Sequence, residues 1–298
     1  MPASAPNDVP PTTHAVGSDA PFFTCFVALS ASYVFLILAL LLSGATFTSL
    51  ADIREALQDP NIQFSIRLSL ISCTVSAIAS LFVAIPIGYL LSRYEFRGKS
   101  LVESALDIPI VLPPLVVGVF LLILFQTAPG KMFEAAFVWV VQTFGINSFI
   151  ELFGLPAIRA ITFDIPSVVL AQFAVACAFA VRTMRVTYAQ IDRRAEDVAL
   201  TLGCRRSQAF FRVLLPVAWP GVVSAGTLAW ARAMGEFGPI LVFSGTMHGR
   251  TEVLPSSVFL EITIGNLEGS VAVSLLMVTL AVCVLFFARS LGMRRGMI

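Results

Sequence analysis

Apolar and polar positions along this chain fall in long blocks rather than in alternation. Residues 22–42 run without a charge. At ~1.5 Å per residue, a helix of that length is about 31 Å long and crosses the hydrocarbon of a bilayer. Uncharged runs recur at 68–91, 108–128, 165–181 and 269–288, and the apolar stretch 217–240 is broken only by Arg232 and Glu236. The pattern predicts an all-α membrane protein with six spans. A seventh apolar stretch, 135–150, is short and holds Gln142, Gly145 and Asn147.

Charge decides between six spans and seven, because Lys and Arg prefer cytoplasmic loops. Arg93, Arg97 and Lys99 follow the second run. Arg182, Arg185, Arg193, Arg194, Arg205, Arg206 and Arg212 follow the fourth, and Arg289, Arg294 and Arg295 close the chain. Six spans place these thirteen of the 19 basic residues on one side, with both termini in the cytoplasm. The opposite loops then keep Arg54, Lys131, Arg159 and Arg250. If 135–150 also crossed, the first two basic segments would face opposite sides. That stretch is therefore expected to be an external, interfacial or re-entrant segment. Residues 1–21, rich in Pro, Ala, Ser and Thr and without Lys or Arg, read as a disordered tail ahead of a membrane domain over 22–298. They lack the basic start of a secretory signal.

Composition agrees. Apolar residues make up 57% and charged residues 12%, against roughly 25% charged in soluble domains. Mean hydropathy is +0.89. A net charge of +1 implies no pull toward nucleic acid. The five cysteines form no CxxC pair and read as packing residues. His14 and His248 are far apart in sequence and suggest neither a metal site nor a catalytic triad. There is no phosphate-binding loop, no H-E-x-x-H and no G-x-S-x-G. The chain shows no catalytic residues, no cofactor site and no energy source of its own.

The most informative segment is 193–216, RRAEDVALTLGCRRSQAFFRVLLP. Ala195, Val198, Ala199 and Leu202 recur at i, i+3, i+4 and i+7, which predicts a short amphipathic helix with a face of small apolar residues. Arg193, Arg194, Glu196, Asp197 and Thr201 fall elsewhere on it. Gly203 suits the positive φ that ends a helix. A second stretch, 207–215, leads to Pro216, which suits the first turn of the next span. On physical grounds the segment is either a solvated connector or a surface that another protein approaches closely.

This loop resembles the E-A-A-x-x-x-G signature of bacterial ABC importer permeases, which continues after nine residues into I-x-L-P. The matching residues are Asp197, Val198, Ala199 and Gly203, then Val213, Leu215 and Pro216, with Asp for Glu and Val for one Ala. Two further stretches narrow the resemblance. Residues 107–118, DIPIVLPPLVVG, look like the third-span signature of molybdate permeases, 231–238, ARAMGEFG, is similar to a segment of the molybdate, tungstate and sulfate group, and 254–259, LPSSVF, looks like the molybdate permeases. The resemblance covers roughly 60–290 and implies the type I importer permease fold in a bacterial inner membrane. It implies a homodimer of this permease, two ATPase subunits that hold ATP and magnesium, and an extracytoplasmic substrate-binding protein. The segment containing Asp197, Val198, Ala199, Leu202 and Gly203 would be the coupling helix that docks on the ATPase. The external segment 129–165 is longer than usual for that family, and the resemblance gives it no role.

Two features of the spans bear on a pathway. Pro109, Pro113 and Pro114 disrupt the local helix, and the freed carbonyls must face protein or water. Pro113 and Pro114 then mark either a kink that lines a pathway or a packing kink. Arg232 and Glu236 are four apart and share a helix face. Arg232 could meet a passing dianion, but Glu236 would repel one, so an internal ion pair is the preferred reading. Rival functions are a sulfate or thiosulfate permease and an ion-coupled secondary transporter, which would show repeats or intramembrane acidic sites. A membrane enzyme would need a catalytic cluster, and none is evident.

Overall fold

The computed structural model describes residues 20–295, and every regular element in that range is helical. The tail expected over 1–21 lies almost wholly outside the described residues. The chain divides into two units, one ending at Phe47 and one starting at Thr48. The first contains α1 (Ala20–Phe47), which carries no charged residue and at ~1.5 Å per residue is about 42 Å long.

The second unit begins with α2 (Leu50–Gln58). A reciprocal cap starts it, Ser49 Oγ accepting from Asp52 N while Asp52 accepts from Ser49 N. Then come α3 (Pro60–Arg93), α4 (Lys99–Val111), α5 (Pro114–Gln126), α6 (Ala128–Thr143), α7 (Ile146–Leu152) and α8 (Ile165–Gln190). The loop helices are α9 (Arg194–Thr201) and α10 (Arg206–Ala209), followed by a π-helical turn over Phe210–Leu214. Last are α11 (Leu215–Val217), α12 (Trp219–Met234), α13 (Gly238–Phe243), α14 (Leu254–Thr263) and α15 (Leu267–Arg295).

The core is α3 packed on α8, with α12 against both. Apolar burial does not drive helices together in lipid, so small residues that allow close approach matter most. Ala77 and Ala84 on α3, Ala176 and Ala180 on α8, and Ala225, Ala229 and Ala233 on α12 are all buried. A Cβ added at Gly88 of α3 would lie 2.8 Å from Met184 Cβ and 3.0 Å from Arg185 N of α8.

A polar seam crosses this core. Ser65, Ser69, Ser72, Ser76 and Ser80 repeat every three or four residues and so line one face of α3, all of them buried. Ser76 Oγ donates to Val169 O of α8 at 2.9 Å, and Ser69 Oγ accepts from Leu254 N, the first residue of α14, at 2.9 Å. The seam thus satisfies backbone groups that lipid would leave unpaired.

Four described helices are long and apolar enough to cross a membrane: Phe22–Phe47, Pro60–Arg93, Ile165–Gln190 and Leu267–Phe286. Three bent pairs pass the same test only together, at 111° for α4 with α5, 69° for α6 with α7, and 71° for Arg206–Val217 with α12. The uncharged run 108–128 is therefore not one straight span, as its composition suggested. It breaks at Leu112 and Pro113, because Pro113 and Pro114 have no N–H with which to continue α4. The run 217–240 likewise stops at Met234, where Gly235 caps α12, and resumes at Gly238.

Candidate functional site

The loop expected to form an amphipathic helix over 195–202 does so, shifted by one residue to Arg194–Thr201. Its small-residue face is split. Ala199 is buried, and α9 leans on the π-helical turn, whereas Ala195, Val198 and Leu202 are exposed, Val198 at 57% and Leu202 at 80%. Asp197 is also exposed. Gly203 has φ +87° and closes the helix, with its N–H on Leu200 O and that of Cys204 on Ala199 O. The stretch expected to be a second helix is one short turn, α10, running into the π-helical turn that holds Val213. Leu215 and Pro216 then fall in α11. Of the cysteines, Cys73 is buried while Cys25 and Cys283 are exposed, so packing explains only part of the set.

Sequence reasoning placed Glu196 on the polar face and gave it no role. It is the best-held residue of α9. Its Oε1 lies 2.6 Å from Arg93 Nε, and its Oε2 accepts from the Tyr89 hydroxyl at 3.1 Å. Arg193 Nη2 donates to Ser92 O, and Arg206 Nη1 to Tyr94 Oη, both at 3.1 Å. A cavity of about 210 Å³ remains between these groups, bordered also by Asp197 and Leu200. In the next turn of chain, Lys99 lies 2.6 Å from Glu95, and this hydrogen bond and its charge lower the Glu95 carboxyl below the usual range.

A second site assembles deeper in the fold. Pro113 and Pro114 are exposed in this chain and start α5, which crosses α13 at very short range. A Cβ at Gly118 would meet Pro239 Cα at 2.8 Å, and one at Gly238 would meet Leu115 N at 3.1 Å. The second and third signature stretches, far apart in sequence, are therefore built against each other. Phe237 stacks on Phe259 of α14 with ring centroids 5.1 Å apart, which brings in the fourth stretch. Just before this crossing, Arg232 and Glu236 pair at 2.5 Å. The Glu236 side chain is 1% exposed and that of Arg232 29%, with its guanidinium 5.6 Å from the Phe179 ring centre. The four-residue geometry survives although α12 ends at Met234.

Residues 129–165, which sequence could not assign, are a folded clamp. Glu134 accepts from Ile161 N, Thr162 N and Thr162 Oγ1. Asn147 pairs with both backbone groups of Ile158. Asp164 accepts from Arg159 N and from Arg250 Nη2, the latter at 3.1 Å. His248 Nδ1 lies 2.7 Å from Glu252, whose other oxygen accepts from Ser257.

Residues 84–296 match the family described as binding-protein-dependent transport system inner membrane component. The chain belongs to that family. The permease is 33% identical to the molybdenum transport system permease protein ModB of Escherichia coli K12, over 75% of this chain and 91% of that one. It is 32% identical to the molybdate/tungstate transport system permease protein WtpB of Pyrococcus abyssi, over 63% of each chain, so it spans somewhat less than two thirds of that relative. In fold it resembles a chain of the bacterial alginate ABC transporter crystallised in complex with alginate pentasaccharide-bound periplasmic protein. That match has a TM-score of 0.68 at 13% identity, over 93% of the permease and 95% of that chain.

Proposed function

We propose that the permease is the membrane-spanning subunit of an ABC importer for a tetrahedral oxyanion, with molybdate as substrate and tungstate indistinguishable from it. One observation carries the reading. The stretches at 107–118, 231–238 and 254–259, each similar to molybdate-type permeases, converge through Gly118, Pro239, Phe237 and Phe259. The names of the relatives agree with it. Two copies of the permease would enclose the route, with Pro113, Pro114, Arg232 and Glu236 near it. An extracytoplasmic binding protein would deliver the anion, and two partner ATPases would hold magnesium and ATP. The exposed face of Ala195, Val198 and Leu202 is suited to meet an ATPase groove, since it presents apolar side chains to water on a rigid helix.

The test is uptake by proteoliposomes holding permease, ATPase and binding protein, with labelled molybdate, tungstate and sulfate. Molybdate and tungstate should accumulate only with ATP and compete with each other, while excess sulfate does not compete. Accumulation of sulfate instead would move the substrate to the sulfate group. Uptake driven by an ion gradient, with ATP absent, would make the permease a secondary transporter.

The topology that accompanies this reading has six spans and both termini in the cytoplasm. In a variant without native cysteines, Phe96→Cys and Arg205→Cys should label only from the cytoplasmic side. Phe144→Cys and His248→Cys should label only from outside. Opposite labelling of positions 96 and 205 would mean that 128–152 crosses the membrane.

A further inference from the structure

The α9 segment would receive its motion from an ATPase, yet the substrate route lies among the long helices, so something in this chain must join the two. Glu196 is placed to do so. Its two oxygens engage Arg93 and Tyr89, which are four apart on one face of the last turns of α3. The side chains of Arg93 and Glu196 are only 7% and 12% exposed, so the pair is poorly screened by solvent. Arg93 Nη2 also donates to Ile191 O at 3.0 Å, which binds the same guanidinium to the chain just ahead of α9.

From this point α3 runs to Pro60 over about 51 Å at ~1.5 Å per residue, with Pro86 removing one hydrogen bond of its ladder just before Gly88. Near its cytoplasmic end Gly88 abuts the α8 backbone so closely that α3 cannot slide without carrying α8. At its other end Ser69 Oγ holds Leu254 N, and Ser65 Oγ lies 2.9 Å from Ser257 Oγ. A continuous series of close-packed and hydrogen-bonded contacts therefore links α9 to α14, and with it to Phe259 on Phe237.

We infer that Glu196 is the positioning residue through which movement of α9 drives α3 and α8, an inference that rests on the importer reading. It differs from the docking role of the exposed face, because Glu196 points into the permease and holds the permease's own side chains. Each partner of the ion pair is also held by a directional bond, Glu196 by the Tyr89 hydroxyl and Arg93 by Ile191 O. Loss of its charge leaves Arg93 buried without its ionic partner and loosens the hold of α9 on α3, which then rests on the backbone contacts of Arg193 with Ser92 O and of Arg93 with Ile191 O.

The experiment compares wild type, Glu196→Gln and Tyr89→Phe in the reconstituted complex with ATPase and binding protein. The readout is molybdate imported per ATP hydrolysed, alongside ATPase co-purification and the Tm of the complex. In Glu196→Gln the ATPase stays bound and binding protein still stimulates hydrolysis, while molybdate per ATP falls about tenfold. Tyr89→Phe removes one hydrogen bond, keeps the ion pair and lowers the ratio about threefold. A wild-type ratio in both variants overturns the inference, because a residue that merely stabilises the loop would shift Tm and not stoichiometry. Loss of the ATPase from both purified variants overturns it as well, by assigning Glu196 to docking. If the wild-type complex itself hydrolyses ATP without importing molybdate, the importer reading fails, and the failure is not that of Glu196.

Discussion

Leu202→Glu is expected to leave the permease folded and unable to transport. Leu202 is 80% exposed at the end of α9, so a carboxylate there meets water in the isolated chain and costs little. In the proposed importer the same position would take part in the apolar contact made by Ala195 and Val198. Truncating or charging such an anchor costs about 2 kcal/mol or more, roughly thirtyfold in affinity. The ATPase should no longer co-purify, uptake should fall to background, and the Tm of the permease alone should stay within about 2 °C, as for an ordinary surface change. Two companions separate docking from folding. Ala199→Arg forces a long cation into the buried side of α9, so it should lower yield as well as uptake. Gly203→Pro demands φ near −65° where the chain has +87°, and should undo the end of the helix. Normal uptake by Leu202→Glu would show that this face docks nothing.

The second large effect is expected at Arg232 and Glu236. Glu236 is enclosed, and Arg232 is its ionic partner. Arg232→Gln strands a carboxylate in low dielectric and should cost about 3–5 kcal/mol. Glu236→Gln should cost less, because Arg232 is partly exposed and keeps its place over the Phe179 ring. Removing both charges should then be less harmful than the two single losses added together. Thermal unfolding in detergent and molybdate uptake are measured on all four proteins of the cycle. Full stability of Arg232→Gln with uptake lost, and no recovery in the double variant, would put Arg232 on the path of the anion and end the structural reading.

Much of the architecture was legible because membrane spans write themselves in blocks of uncharged residues. Helices α1, α3, α8 and α15 each overlap an uncharged run and outlast it, α3 as far as Arg93 and α8 through Arg182 and Arg185 to Gln190. The spans that were misread are those where composition and backbone disagree. Residues 108–128 are apolar throughout, so hydropathy cannot register the turn at Leu112, although Pro113 and Pro114 were the signal for it. The amphipathic period of α9 was correct, but periodicity says only that residues share a face and not what covers it. Ala199 was covered from within, and Val198 and Leu202 were left open. Glu196 was overlooked for the same reason, since a carboxylate on a polar face looks solvated until its partners arrive from a helix about a hundred residues earlier. The clamp at 129–165 depends on Glu134, Asn147 and Asp164 meeting backbone N–H groups, and such pairings have no sequence period.

The crossing of α5 and α13 also constrains how the chain is built. At ~1.5 Å per residue the 13 residues of α5 reach only about 20 Å, too short to settle across a bilayer alone. Its first turns lie against α13, where the backbone of Pro239 meets Gly118, and Pro239 is synthesised far downstream. While the ribosome works through α6 to α12, the segment from Pro109 to Gln126 waits without the partner that fixes its shape. Its backbone groups near the corner must in the meantime be sheltered by the insertion machinery or by water. The packing of α13 onto α5 can therefore form only after Gly238 and Pro239 have been made, and until then the proline corner lacks the neighbour it has in the finished fold.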